Sequence, residues 1–156
     1  MKKVCLLAKS ILIIVGSAIF FHLSYRDPVL APLIVLFLFG ACLLADQLSN
    51  RSAFYSGFVL GLLVYCPQLQ FFYNIFHTGA FALWSILSFW LGLFVLMVHQ
   101  LRLRFRKKFV ILLIPVLWTG IEYFRSELYF LKFSWVNIGF AFSKGGYTSF
   151  VLYTGV

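Results

Sequence analysis

Long apolar runs, separated only by short polar turns, fill almost the whole chain. Of its 156 residues, 63% are hydrophobic and only 11% are charged, whereas soluble domains carry about 25% charged residues. Because the hydrocarbon core of a bilayer is about 30 Å thick, a helix needs roughly 20 mostly apolar residues to cross it. Several such stretches fit end to end here. The sequence therefore predicts an all-α fold, a polytopic transmembrane helical bundle.

The apolar runs predict about five membrane spans and the start of a sixth, all in a single transmembrane domain over residues 1–156. We interpret the basic N-terminus as an uncleaved first span, because the apolar run continues to Leu23, past the small residues at 16–18. The predicted spans cover about residues 4–23, 29–45, 53–76, 80–101, 109–124 and, incompletely, 146–156.

Proline, glycine and capping residues predict local features between and within these spans. Pro28 favours a turn and a helix start directly after Asp27, and Ser49 or Asn50 is suited to cap the next helix. Within the third span, Pro67 is expected to free a backbone carbonyl that a neighbouring helix or polar side chain must satisfy. Gly57 and Gly61 form a G-x-x-x-G pattern that allows close helix approach.

The net charge of +9, from 13 Lys and Arg against 4 Asp and Glu, would suggest nucleic acid as a partner of a soluble protein. In a membrane protein it favours the positive-inside rule, so no nucleic-acid partner is predicted. A cytoplasmic N-terminus places nine basic residues inside and four outside. Residues 102–108 then form a basic cytoplasmic turn, and 125–145 form an outer interfacial segment.

A charged aromatic cluster follows the fifth span. Trp118, Glu122 and Arg125 share one helical face, and Glu122 and Arg125 are close enough to form an ion pair. One interpretation is an ordinary interfacial helix end with an aromatic belt. The other is a cavity at the outer leaflet that holds a lipid headgroup or an acylated substrate, since ionisable groups at membrane depth usually face a protein interior or wet cavity. Phe133 and Trp135 are candidate anchors at headgroup depth.

The polar residues after Pro67 raise a second pair of alternatives. Gln70 and Asn74 share a face, with Tyr73 beside them, and could serve helix–helix hydrogen bonding or line a pathway. The three cysteines match neither a metal site nor a redox pair, and we interpret them as small apolar residues. No catalytic set, metal site or cofactor is predicted.

The stretches P-V-L-W-T-G-I-E-Y-F-R (115–125), F-S-W-V-N-I-G-F (133–140) and Y-T-G-V (153–156) resemble the membrane domain of apolipoprotein N-acyltransferases. The likeness extends over roughly residues 50–156. Ser134 stands where that family usually has proline, and Phe71 where it usually has tryptophan.

The resemblance implies a multi-pass protein of a bacterial inner membrane that serves transfer of a phospholipid acyl chain to the N-terminal cysteine amine of a lipoprotein. In that family a nitrilase-like domain with a Glu-Lys-Cys site performs the chemistry after the helical bundle. None of this chain's cysteines matches that nucleophile, so this chain alone is expected to be inactive, as either a truncated product or one half of a split enzyme. The implied partners are membrane phospholipid, a lipoprotein substrate and a separate nitrilase-like subunit. The alternative is a non-enzymatic membrane scaffold or small-solute carrier.

Overall fold

The computed structural model describes residues 2–46, 49–130 and 136–143, and these residues are helical with no strand. Single helical turns also occur at Pro28–Leu30 and Ile138–Phe142 (3-10) and at Phe124–Leu128 (π). The helical class predicted from the sequence is confirmed. Six α-helices lie within the described ranges: α1 (Lys2–Arg26), α2 (Leu33–Leu43), α3 (Asn50–Gln68), α4 (Phe71–Phe76), α5 (Gly79–Arg104) and α6 (Lys107–Tyr123).

Three helical stretches among the described residues are long and apolar enough to cross a membrane: Leu7–Arg26, Gly79–Arg104 and Lys107–Leu128. A fourth apolar helix, Leu33–Leu43, is shorter. The predicted count of about five spans is therefore not confirmed. One difference lies in the predicted third span, 53–76, which is divided between α3 and α4. The predicted sixth span, 146–156, lies outside the described residues.

Side-chain caps occur at two helical starts, and the one at Ser49 was predicted from the sequence. The Asp27 carboxylate accepts a hydrogen bond from the Val29 amide at 2.9 Å, directly before the Pro28–Leu30 turn. The Ser49 hydroxyl accepts one from the Ser52 amide at 3.2 Å, so Ser49 caps α3 and Asn50 is its first residue. These side chains satisfy amide groups that helix geometry leaves without a backbone partner.

Pro67 lies in the last turn of α3 and has no amide hydrogen for the carbonyl of Leu63, four residues earlier. His22 of α1 occupies that place, with its Nε2 atom 3.0 Å from the Leu63 oxygen. The predicted replacement donor is therefore present. At the break after α3, the Trp84 indole donates to the Leu69 carbonyl at 3.3 Å and ties the break to α5.

Helices α3 and α5 pack closely against each other, and small residues bring the two backbones together. A Cβ atom on Gly57 would lie 2.9 Å from the Leu91 carbonyl oxygen, and one on Gly61 only 2.6 Å from the Cα of Ser88. Real Cβ atoms are essentially never that close to backbone. The close approach predicted from the G-x-x-x-G pattern is confirmed, with α5 as the partner.

Side-chain contacts define the two ends of the bundle. At one end, the residues around the start of α3 meet the end of α5: His99 bonds to Ala45, Arg102 to Asp46 and Gln100 to Asn50. The other end of the bundle brings together the last residues of α1, the break after α3 and the segment 136–143. A cavity opens there, and it is lined by Tyr25, Gln68, Leu69, Phe71, Val136 and Phe140.

Candidate functional site

The end of α6 carries the charged cluster singled out in the sequence. α6 passes directly into the π-helical turn Phe124–Leu128, and Arg125 in this turn is buried, with 3% of its surface exposed. A π-turn places a side chain differently from a regular α-turn and is frequent at functional sites. A guanidinium group stays charged in a protein, so its burial requires polar partners.

Arg125 finds those partners on two other parts of the chain. One terminal nitrogen, Nη2, donates to the side-chain oxygen of Asn137. The other, Nη1, lies 3.4 Å from the hydroxyl of Tyr65 on α3. The Nε atom is buried without a hydrogen-bond partner among the described residues. Arg125 thus connects α6, α3 and the segment 136–143.

The prediction of an ion pair between Glu122 and Arg125 is wrong. The Glu122 carboxylate instead accepts a hydrogen bond from the Ile138 amide at 3.1 Å, and the described part of the chain holds no salt bridge between the two residues. Spacing along α6 permits the pair, but the adjacent residues Asn137 and Ile138 offer each group its own partner. The two side chains together hold one short segment, Arg125 through the Asn137 side chain and Glu122 through the Ile138 amide.

A third contact to the same stretch comes from the first helix. The Tyr25 hydroxyl donates to the Asn137 carbonyl oxygen at 2.7 Å. Next to it, Val136 has a φ of 62°, a left-handed conformation that a β-branched residue rarely adopts. Such strain persists only where the surroundings impose it, commonly at functional sites. We call Tyr25, Tyr65, Glu122, Arg125 and Asn137 the elbow network.

A cavity of about 360 Å³ opens beside the elbow network. Its walls are mainly apolar, from Leu69, Phe71 and Phe140, and Tyr25 and Gln68 add polar groups. Tyr25 belongs both to this cavity and to the elbow network. Ligand pockets typically combine apolar walls with a few placed polar groups over about 300–1,000 Å³, so this cavity is large enough for part of a lipid or peptide.

Trp118 has a packing role one turn before Glu122. Its ring meets Phe94 of α5 edge-on, with 4.8 Å between centroids, and Phe37 of α2 at 6.5 Å. Aromatic pairs at these distances add stability beyond their buried area. Trp118 therefore fixes α6 against the bundle and so positions Glu122 and Arg125.

The remaining residues predicted to bind lipid or substrate are distributed elsewhere. Gln70 is exposed in the break between α3 and α4. Tyr73 of α4 is 46% exposed and its ring packs against His77 and Phe81. Among the described residues, neither Gln70 nor Tyr73 bonds to the elbow network, although the neighbours of Gln70 line the cavity. Phe133 and Trp135 lie outside the described residues.

Three members of the elbow network, Tyr25, Tyr65 and Asn137, were not singled out from the sequence. Tyr25 and Asn137 are 112 positions apart, and Tyr65 and Arg125 are 60 apart. Helical spacing relates only residues within a few turns, so no periodicity connects these pairs. The available signal was weak: Tyr25 follows the predicted first span, Tyr65 precedes Pro67 within the predicted third span, and Asn137 lies in the predicted interfacial segment.

The arrangement is suited to binding and positioning. The described residues include no group of three or more His, Cys, Asp or Glu side chains that could hold a metal. Cys42 is buried and Cys66 half-buried, and neither bonds to an acidic side chain within the described ranges. What the elbow network does offer is a buried guanidinium group without an acidic partner among those residues.

Comparison with known proteins adds an independent result. A family model described as the apolipoprotein N-acyltransferase N-terminal domain matches residues 17–156. A curated relative, an apolipoprotein N-acyltransferase from Geobacter metallireducens, is 30% identical over 138 residues. That match covers 83% of this chain and 26% of the relative, so the chain spans about a quarter of the relative's length. No solved structure matches the chain significantly.

Proposed function

The chain belongs to the apolipoprotein N-acyltransferase N-terminal domain family, and from that premise we propose that it forms the membrane platform of such an enzyme. The proposed reaction transfers an acyl chain from a phospholipid to the N-terminal cysteine amine of a lipoprotein. In this proposal the elbow network fixes the segment 136–143 at the outer end of the bundle, where lipid and lipoprotein are handled.

The observation that carries the proposal is the convergence of three side chains, from α1, α6 and the π-turn that continues α6, on two adjacent residues. Tyr25 of α1 binds the Asn137 carbonyl, Arg125 binds its side chain, and Glu122 binds the Ile138 amide. Each bond joins a helix to the same short segment, so the segment's position follows that of the bundle. A site held by rigid elements keeps the geometry that catalysis needs.

The charge of Arg125 and the neighbouring cavity suit the headgroup end of a phospholipid. Arginine binds phosphate through its planar set of donors, and no carboxylate of the described residues forms a salt bridge with Arg125. The cavity of about 360 Å³ offers apolar walls beside this charge. It is too small for a whole phospholipid, and we propose that it accepts the start of one acyl chain.

We propose that the chemical step requires groups outside the described residues. Acyl transfer through a covalent intermediate needs an activated nucleophile such as a thiolate beside a base. Cys42 is buried in the bundle, and no base bonds to Cys66 in the part of the chain described. Residues 1–156 by themselves are then inactive, and a nitrilase-like domain or subunit supplies the nucleophile. Acylation of a diacylglyceryl peptide by the purified chain alone would contradict this.

The proposed location is a bacterial inner membrane, with a cytoplasmic N-terminus. The contacts of Ala45 with His99 and of Asp46 with Arg102 support one element of this topology, because they bring the residues before α3 and the basic turn 102–108 to the same end. With that end in the cytoplasm, the elbow network lies at the outer leaflet, as the positive-inside count favours.

A chimera tests the platform role. Residues 17–156 would replace the matched part of the Geobacter metallireducens enzyme, and acylation of a diacylglyceryl lipopeptide by phospholipid would be measured in membranes. We expect Asn137→Ala to lower the acylation rate at least about tenfold, because the Arg125 guanidinium then loses its bond to the segment, although the Tyr25 bond to the backbone carbonyl of residue 137 remains. We expect the amount of membrane-inserted protein to stay the same.

Asn74→Ala is the matched control. Asn74 is exposed on α4, also after the α3 break, and it makes no hydrogen bond to the elbow network. Its loss should leave the acylation rate within about twofold. If both variants acylate as fast as the unchanged chimera, the segment 136–143 has no part in the reaction and the platform proposal fails.

A further inference from the structure

A second and larger cavity lies at the end of the bundle opposite the elbow network. Its volume is about 630 Å³, and it is enclosed by the end of α2, the end of α5 and the start of α6. Two candidate membrane spans, Gly79–Arg104 and Lys107–Leu128, meet at this point. The cavity therefore lies where the ends of both spans reach the depth of lipid headgroups. It is lined by Phe39, Ala45, Asp46, His99, Arg102, Leu103, Phe105, Lys107, Val110, Ile111 and Ile114.

Positive charge dominates one side of this cavity. Arg102 and Lys107 line it, and Asp46 balances one of these two charges through its salt bridge with Arg102. Lys107 is also the first residue of α6, whose first turn contains no acidic residue and has no side-chain cap. The free amide hydrogens and positive dipole of a helix start favour an anion. The cavity thus combines two cationic side chains with an uncapped helix start.

Hydrogen-bond acceptors line the same cavity. His99 is 94% buried, and its Nδ1 atom is 2.8 Å from the Ala45 carbonyl oxygen. Because a carbonyl can only accept, Nδ1 carries the hydrogen, and in the neutral ring Nε2 is left as an acceptor. Nε2 has no hydrogen-bond partner among the described residues. The Asp46 carboxylate, 57% exposed, is a second acceptor.

The remaining walls are apolar and open toward the membrane side of the helices. Phe39 of α2 and Ile111 of α6 are 61% and 68% exposed, and Ile114 is half-buried. In a bilayer these side chains contact hydrocarbon. An occupant that fits all the walls has an anionic group, hydrogen-bond donors and an apolar tail.

We propose that this cavity binds one anionic phospholipid with a hydroxylated headgroup, of the phosphatidylglycerol type, independently of the acyl donor. The phosphate lies against Arg102, Lys107 and the start of α6. The headgroup hydroxyls donate to His99 and Asp46, and an acyl chain follows Phe39 and Ile111. The bound lipid fills the gap between α6 and the rest of the bundle at this end.

Native mass spectrometry of the full chain, released from detergent micelles with added lipid, tests the proposal. We expect phosphatidylglycerol to bind at least about tenfold more tightly than phosphatidylcholine, which is zwitterionic and lacks headgroup donors. A double variant, Arg102→Gln with Lys107→Gln, should lose this preference, because each basic residue near an anionic lipid contributes roughly fivefold or more to affinity.

The matched control is Arg104→Gln with Lys108→Gln. It removes the same two charges from exposed neighbours that do not line the cavity, and it should retain the preference within about twofold. Equal loss in both double variants would show only general attraction of the basic turn and would overturn the proposal. So would displacement of the lipid by inorganic phosphate at equal concentration.

A variant that changes no charge tests the cavity independently, because loss of the Arg102–Asp46 salt bridge could also disturb the fold of the double variant. Ile111→Trp places a larger side chain on an exposed position of the cavity wall. We expect it to weaken phosphatidylglycerol binding about fivefold while the helix content by circular dichroism stays unchanged. Val116→Trp, at a similarly exposed α6 position outside the cavity, should bind as the unchanged chain does. Undiminished binding by Ile111→Trp contradicts the proposed path of the acyl chain.

Discussion

His22 on α1 hydrogen-bonds to the backbone carbonyl of Leu63 on α3, the carbonyl that Pro67 leaves without its usual helical donor. The imidazole Nε2 and the carbonyl oxygen are 3.0 Å apart. A side chain of α1 thus supplies the hydrogen-bond donor that the backbone of α3 lacks. The contribution of His22 therefore depends on Pro67, although the two residues are 45 positions apart.

We expect His22→Phe to lower the free energy of unfolding by about 1 kcal/mol, since the Leu63 carbonyl then lacks a donor. Unfolding in detergent micelles, followed by circular dichroism, measures this loss. The same substitution is then measured in a Pro67→Ala variant, in which residue 67 has an amide hydrogen that can bond to the Leu63 carbonyl. In that background His22→Phe should cost less than half as much. An equal cost in both backgrounds would show that His22 stabilises the protein for another reason.

Gly61→Ala should destabilise the bundle by about 1–3 kcal/mol, because the new Cβ would lie 2.6 Å from the Cα of Ser88 and force α3 away from α5. The same change at Gly16 of α1 meets no atom within 4 Å. It should be neutral or stabilise by up to about 1 kcal/mol, as alanine favours helix. Thermal unfolding of both variants checks the difference in sign. A loss at Gly16 as large as at Gly61 would mean that helix contact is not the cause.

Glu122 acts as a hydrogen-bond acceptor for Ile138 rather than as the partner of a charge. Glu122→Gln keeps an acceptor oxygen in place and should cost less than about 0.5 kcal/mol. Glu122→Leu leaves the Ile138 amide unsatisfied and should cost about 1–3 kcal/mol. Chemical unfolding in lipid nanodiscs distinguishes the two. An equal loss of stability in the two variants would instead support the ion pair with Arg125 that the sequence suggested.

Reporter fusions test the proposed orientation of the two bundle ends. An alkaline phosphatase fused after Arg106 should be inactive, and one fused after Ser143 should be active, since the reporter forms its disulfides only outside the cytoplasm. β-Galactosidase fusions at the same two positions are the complementary control and should give the reverse pattern. Active phosphatase after Arg106 would place the basic turn outside and invert the proposed topology.

Local features such as helix caps can be predicted from the sequence because their hydrogen bonds join residues only a few positions apart. Ser49 caps α3 and Asp27 caps the turn at Pro28 through hydroxyl and carboxylate groups that reach only two or three residues ahead. The division of the predicted third span was harder to place. A proline in a membrane helix does not by itself fix where the helix ends, and here α3 continues one residue past Pro67 to Gln68.

The candidate site was only half predictable. Glu122 and Arg125 stand out in an apolar chain because a charge is costly at membrane depth. Their partners, Asn137 and Ile138, were hidden because they lie 12 and 16 positions away, beyond the three or four residues at which helical spacing pairs side chains. Spacing on one helix favoured the local ion pair, and tertiary contacts replaced it.

By itself the sequence determined the helical class, the cap of α3 and the costly charges, since hydrophobicity, capping and desolvation act on a residue or its immediate neighbours. Only the tertiary structure decided which donor bonds to the Leu63 carbonyl, which helix packs against Gly61, and which segment Arg125 binds. Each of those outcomes depends on atoms from different helices or segments, and only the packing of the helices fixes the distances between them.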